Sequence, residues 1–286
     1  MGISPGHTAI YLLFAVQCLF AGSTLFLGYP ERVRSYAKHL WVYLLFIAVA
    51  VKFSLHAASI ILAIISFMAL REYYSLIAIR TGDRLAIWGG FLAIPLMLLT
   101  HITNNPLIFI TIGPVYAFLF IPLLVSFGNH NADGVLFSST IIGFGLFVFV
   151  YGNGLFGFLA LKNIWFAVIA LVNVSLSDAI AFLLFSTQKR QFTGKFVQYL
   201  AAVPCTVTAT LLVSDLTTLG YAQSILAGAL TPMFVALIRY LMVHIESDLG
   251  TAQEYTSLRR GRLINSSCSL VLTSPILYYL ILIFVE

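Results

Sequence analysis

Apolar residues in this chain fall in long unbroken runs separated by short polar stretches, without the alternation of a half-buried strand. A helix needs about 20 residues to cross the hydrocarbon layer, and several of these runs reach or approach that length. Candidate spans cover residues 9 to 29, 87 to 102, 107 to 127, 135 to 151, 163 to 186, 196 to 214, 219 to 245 and 267 to 285, together with a longer stretch from 41 to 70. The pattern predicts an all-α, polytopic transmembrane helix bundle of about nine or ten helices. It forms a single integral membrane domain over residues 1 to 286. A membrane barrel is excluded, because its strands alternate between lipid-facing and lumen-facing residues.

Composition strengthens this picture. Of the 286 residues, 60% are hydrophobic and only 9% charged, leaving too few polar side chains to cover a soluble core. No Lys or Arg precedes the first apolar run, which is longer than the apolar part of a usual signal peptide, so it reads as a retained helix. Cys18, Cys205 and Cys268 lie in or beside spans, where a thiol packs as a small hydrophobe, and neither a disulfide framework nor a zinc site is suggested.

Charge sets the orientation. Twelve of the 15 Lys and Arg residues fall in four segments: Arg32, Arg34 and Lys38; Arg71, Arg80 and Arg84; Lys189, Arg190 and Lys195; and Arg259, Arg260 and Arg262. The positive-inside rule turns all four toward the cytoplasm. The net charge of +5 thus comes from short loops, which favours anionic lipid over nucleic acid as a partner. Because the segments around 30 to 40 and 71 to 86 are both basic, the stretch from 41 to 70 must cross an even number of times. It is therefore expected to form two short helices meeting near Lys52 to His56, each shorter than a full span, with both chain termini outside. One tilted helix through 41 to 70 is the alternative.

Four ionisable side chains stand out inside the apolar runs: Lys52, His56, Asp178 and Arg239. Each is costly in hydrocarbon unless paired or facing a wet cavity. At 1.5 Å per residue, Asp178 and Arg239 lie about 12 Å and about 9 Å from the same predicted side, close enough in depth to pair. Such a pair either ties two helices together or belongs to a polar site. Lys52 and His56 are expected to satisfy each other or backbone carbonyls at the hairpin turn. His244 opens a mixed-charge run through Glu246, Asp248 and Glu254 to Arg259, Arg260 and Arg262, the oxygen and guanidinium chemistry that Mg2+ and a polyphosphate require. A solvated loop has the same composition. No Gly-rich phosphate loop, paired-His metal motif or nucleophile elbow occurs.

The stretch Ser66-Phe67-Met68-Ala69-Leu70-Arg71-Glu72-Tyr73, continuing to Arg80-Thr81-Gly82-Asp83-Arg84 and Ile94-Pro95, resembles the bacterial phosphatidate cytidylyltransferases, or CDP-diacylglycerol synthases. Pro114 to Pro122 looks like a further matching segment, and Ser269-Leu270, Ser274-Pro275 and Tyr278-Tyr279 resemble the family's last helix. The likeness runs from about residue 40 to 285 in the same order. It implies a bacterial inner-membrane protein of phospholipid metabolism whose polar site faces the cytoplasm. The implied chemistry is transfer of a cytidylyl group from CTP to phosphatidate, with Mg2+ as cofactor and homodimerisation as an expectation.

By the same resemblance, Asp178 matches the family's intramembrane Asp and Lys195 the Lys of its Ser-Pro-x-Lys-Thr segment. Asp178, Lys195, Asp248 and Glu254 become candidate catalytic residues, with Asp178, Asp248 and Glu254 holding metal and Arg259 and Arg262 holding substrate phosphate. The C-terminal signature is degraded, since Asn265-Ser266-Ser267-Cys268 stands where Asp-Arg-x-Asp is expected and two carboxylates are lost. Mg2+ needs hard anionic oxygens, so the expectation is a paralogue without catalysis that binds lipid or scaffolds a partner membrane enzyme. The other readings are an active, divergent cytidylyltransferase and a transporter using Asp178 and Arg239.

Overall fold

The structure is a computed structural model that describes residues 31–77, 80–128, 134–185, 197–248 and 262–285. With one short 3-10 turn at Thr81–Asp83 and no strand, they form nine long helices. These are α1 (Glu31–Lys52), α2 (Leu55–Leu76), α3 (Arg84–Ile102), α4 (Pro106–Gly128), α5 (Val135–Lys162), α6 (Ile164–Phe185), α7 (Val197–Ser214), α8 (Tyr221–Asp248) and α9 (Arg262–Val285). Seven of them, α2 to α8, are long and apolar enough to cross a membrane, while α1 and α9 carry the shorter apolar stretches Trp41–Lys52 and Ser267–Ile283. The protein is an integral membrane protein with an all-α polytopic bundle. The run at 9 to 29 lies outside the described residues.

Between 41 and 70 the chain turns back on itself. α1 ends at Lys52, and Ser54 caps α2, its hydroxyl accepting a hydrogen bond from the Ala57 amide at 3.1 Å. A serine at this position satisfies one of the amides that a helix start leaves open. The arms are not short, however. Each is 22 residues long, because α1 begins ten residues before the apolar stretch and α2 continues through Arg71 to Leu76. Helical hydrogen bonding extends past the hydrocarbon boundary wherever the polar flank can be wetted, and apolar length alone understates it. Lys52 and His56 are both exposed at this turn and lie outside the buried interior.

The other turns have equally local causes. Asn104 takes a left-handed conformation (φ 49°) and Pro106 starts α4, where its missing amide costs nothing. Asn163 separates α5 from α6: its Oδ1 accepts from the Trp165 amide (3.0 Å), and its Nδ2 donates to Leu216 O (3.3 Å), binding two turns at one end of the bundle. At the opposite end Ser138 donates to the buried carboxylate of Asp83 at 2.7 Å. Alternation along the chain brings the start of α1, which bears Arg32, Arg34 and Lys38, the connection from Arg71 to Arg84, and Arg262 at the start of α9 to this second, basic end.

Inside, tyrosines and glycines set the helix spacing. Tyr73 and Tyr74 of α2 donate to Ile141 O (3.0 Å) and Ile142 O (3.3 Å) of α5, and the Tyr116 hydroxyl of α4 donates to Gly89 O (2.7 Å) of α3. Gly145 makes room for the Tyr73 ring and Gly90 for the Tyr74 hydroxyl, positions where any Cβ would collide. α4 and α5 each contain a π-helical turn, Tyr116–Phe120 and Phe147–Tyr151, and Tyr151 stacks between Phe109 and Phe147. Large apolar side chains such as Leu107, Phe118 and Phe127 point outward, as lipid contact requires.

Single cysteines placed at Thr81 and at Ser257 are expected to label from the same side of the membrane, and one at Ser54 from the other. Labelling of Thr81 and Ser54 from one side would contradict the hairpin. Gly145→Val should displace Tyr73 and lower stability by about 1–3 kcal/mol, measured by thermal unfolding in detergent.

Candidate functional site

α6 presents Asn173, Ser177 and Asp178 at helical spacing toward its neighbours, and all three are buried. Ser177 donates to the Asn173 carbonyl (2.7 Å), which keeps its own hydroxyl satisfied in the absence of water. Asp178 is completely inaccessible, and Arg239 of α8 closes over it. The guanidinium donates from Nε to Oδ1 at 3.1 Å and from Nη2 to Oδ2 at 3.0 Å, a two-pronged contact that uses both carboxylate oxygens. The planar fork matches the carboxylate, and its two parallel charge-assisted bonds fix the relative rotation of α6 and α8.

The pair is asymmetric in its surroundings. Asp178 has no exposure and Arg239 retains 13%, so the cation lies on the outer side and screens the anion. Tyr199, near the start of α7, offers its hydroxyl to Oδ1 at a long 3.5 Å. α9, on which Cys268 is buried, packs against both α6 and α8. Four helices thus meet around one neutralised charge pair.

A second polar chain runs from α9 into the bundle centre. Ser267 shares a hydrogen bond with the Tyr43 hydroxyl, and Tyr43 donates to Asn153 Oδ1 at 3.0 Å. The Asn153 amide in turn donates to Ser66 Oγ (3.2 Å) and to Phe149 O (2.8 Å). α1, α2, α5 and α9 are joined by this chain, and its end at Ser267 is adjacent in sequence to Cys268. Neutral polar residues therefore tie α9, which packs against α6 and α8, to α1, α2 and α5.

Of the residues singled out by sequence, the structure brings Asp178 and Arg239 together. Asp248 is the last residue of α8 and Arg262 the first of α9, so their backbones stand at the basic end. Lys195, Glu254 and Arg259 lie outside the described residues. His244 is exposed at that end of α8, with its Nδ1 at 2.9 Å from Tyr240 O and its ring 4.1 Å from the Tyr240 ring.

His101, Tyr43 and Asn153 are not among the side chains that the sequence pattern singles out. His101 is fully buried, with Nε2 at 2.9 Å from Gly154 O and its ring edge-on to Phe158 at 4.4 Å. Its signal was available in principle, as a histidine in the last turn of an apolar run. Asn153 lies among glycines and aromatics, where only the folded bundle reveals its partners.

As paired, Asp178 is a poor ligand for Mg2+. Both of its oxygens face a guanidinium, and that fixed positive charge repels a dication. Among the described residues no group of three or more His, Cys, Asp or Glu could hold a metal ion. Comparison with family models, curated proteins and solved structures gives no match.

Asp178→Asn and Arg239→Gln are each expected to destabilise the protein by about 3–5 kcal/mol, since either leaves a buried charge without its partner. The double substitution should cost clearly less than the sum, measured by thermal unfolding of the purified protein. Additive losses would show that the two side chains do not act as a pair.

Proposed function

We propose that the protein is a phosphatidate cytidylyltransferase-like membrane protein of phospholipid metabolism that has lost nucleotidyl transfer. In this reading it binds an anionic phospholipid such as phosphatidate and scaffolds a partner membrane enzyme. The observation that carries the proposal is the two-pronged Asp178–Arg239 contact. The one intramembrane carboxylate that the resemblance assigns to metal is committed to a guanidinium, and the later signature has lost two further carboxylates. With both oxygens held by a guanidinium, Asp178 does not fit a hard dication.

Charge distribution supports the lipid part of the proposal. The described basic residues from Arg71 to Arg84, with the start of α1 and Arg262, stand at one end of the bundle, and by the positive-inside rule this supports a reading in which that end faces the cytoplasm of a bacterial inner membrane. Guanidinium groups there suit a phosphate headgroup, whose oxygens fit the same fork that a carboxylate does.

The deciding experiment incubates the purified protein in nanodiscs with phosphatidate, labelled CTP and Mg2+, beside Asp178→Asn. The expected result is no CDP-diacylglycerol, together with saturable binding of phosphatidate over phosphatidylcholine. Formation of CDP-diacylglycerol that Asp178→Asn abolishes would overturn the loss of catalysis and identify a divergent cytidylyltransferase. Absence of both product and phosphatidate preference would remove the lipid assignment.

A further inference from the structure

α6, α7 and α8 pack on one another, and their shared interior is polar along its length, unlike the aromatic interior of the other helices. The closest approach is between α7 and α8. Thr206 donates to Gly228 O at 2.8 Å, and a Cβ on Gly228 would come within 2.7 Å of the Val207 backbone. The two helices are consecutive and antiparallel, so one turn further along this contact Thr210 of α7 stands beside Ser224 of α8. On the third side Asn173 of α6 donates through Nδ2 to Thr210 Oγ1 at 2.8 Å. Asn173, Thr210 and Ser224 are therefore brought to one level, near the middle of α6.

All three are buried, with exposures of 0–1%, yet two of their polar atoms have no partner: Asn173 Oδ1 and Ser224 Oγ. Unpartnered buried polar atoms are rare in native proteins and call for an explanation. Ser224 has an easy alternative that it does not take. Thr206, Thr208, Thr210 and Thr231 each donate to the carbonyl four residues back in their own helix, whereas the Ser224 hydroxyl makes no such bond. The two open atoms are complementary, since a hydroxyl can donate and an amide oxygen can only accept. Thr210 Oγ1 lies on the same level. It donates to Thr206 O and accepts from Asn173, which leaves one lone pair unused.

We propose that Asn173, Thr210 and Ser224 hold one water molecule in the middle of the membrane. The water accepts from the Ser224 hydroxyl and donates to Asn173 Oδ1 and Thr210 Oγ1, the three hydrogen bonds typical of a buried water. It binds α6, α7 and α8 together without a direct contact between Asn173 and Ser224. The water also extends the polar interior about 7.5 Å along α6 beyond Asp178, counting five residues at 1.5 Å each. The inference does not depend on the lipid or nucleotide chemistry proposed above.

The test is the sign of a conservative substitution. Without a bound water, Ser224→Ala removes an unsatisfied buried hydroxyl and leaves the protein equally or more stable. With the water, the same change removes a hydrogen bond, and Tm in nanodiscs should fall by about 2 °C. Ser224→Ala combined with Asn173→Ala should lower Tm by less than the sum of the single changes, because either one already disrupts the water. A density map that resolves ordered water elsewhere in the protein should show a peak between the three oxygens. An unchanged or raised Tm for Ser224→Ala, strictly additive single effects, or a map with no such peak would overturn the proposal.

Discussion

A charge in hydrocarbon must be matched, and the contact between Asp178 and Arg239 is how this bundle matches the most deeply buried carboxylate among the described residues. The pair is a constraint more than a source of stability, since desolvating two ions offsets most of their attraction. What it fixes is geometry. With both carboxylate oxygens engaged, α6 and α8 can neither rotate nor slide past each other without exposing a charge to lipid. Tyr199 brings α7 to the same point, and α9 packs against both helices of the pair. The chain from Ser267 through Tyr43 and Asn153 to Ser66 then ties α9 to α1, α2 and α5.

The two sides of the bundle are held together differently. Around α2 to α5, aromatic rings meet glycines, and tyrosine hydroxyls take helix carbonyls, so close packing supplies most of the cohesion. Around α6 to α8, small hydroxyl and amide side chains line the interior, and hydrogen bonds matter more. Helix association in lipid lacks the hydrophobic drive that folds soluble proteins, and both strategies are recognised substitutes for it. The polar side is where the ion pair lies, and the described ends of α6, α8 and α9 on that side, at Phe185, Asp248 and Arg262, face the same end of the bundle. Any ligand chemistry belongs there on electrostatic grounds.

Much of the architecture was legible in the sequence because membrane helices are written as length and polarity. Runs of apolar residues mark the spans, and the clash of two basic segments required the turn after Lys52. The depth of Asp178 and Arg239 followed from counting residues along their helices. Helix ends were misjudged for a physical reason: Glu31 to Leu40 and Arg71 to Leu76 are polar enough to look like loops, yet they continue helices into the interface. The partners of Asn153, His101 and Ser224 were not legible. Such contacts depend on which faces of helices distant in sequence meet, and no local pattern encodes that. The candidate site was legible as a pair, because a carboxylate and a guanidinium inside apolar runs at one depth have few other ways to be neutralised.

The central claim is that Asp178 is held by Arg239 and is not available to metal. Solid-state NMR of the protein in phospholipid bilayers, labelled at the Asp178 carboxylate carbon and the Arg239 guanidinium nitrogens, measures this contact directly. A strong carbon–nitrogen dipolar coupling that persists when Mg2+ and CTP are added is the result this account predicts. A coupling that is absent, or that vanishes on adding Mg2+ and CTP, would contradict it and return Asp178 to the role of a metal ligand.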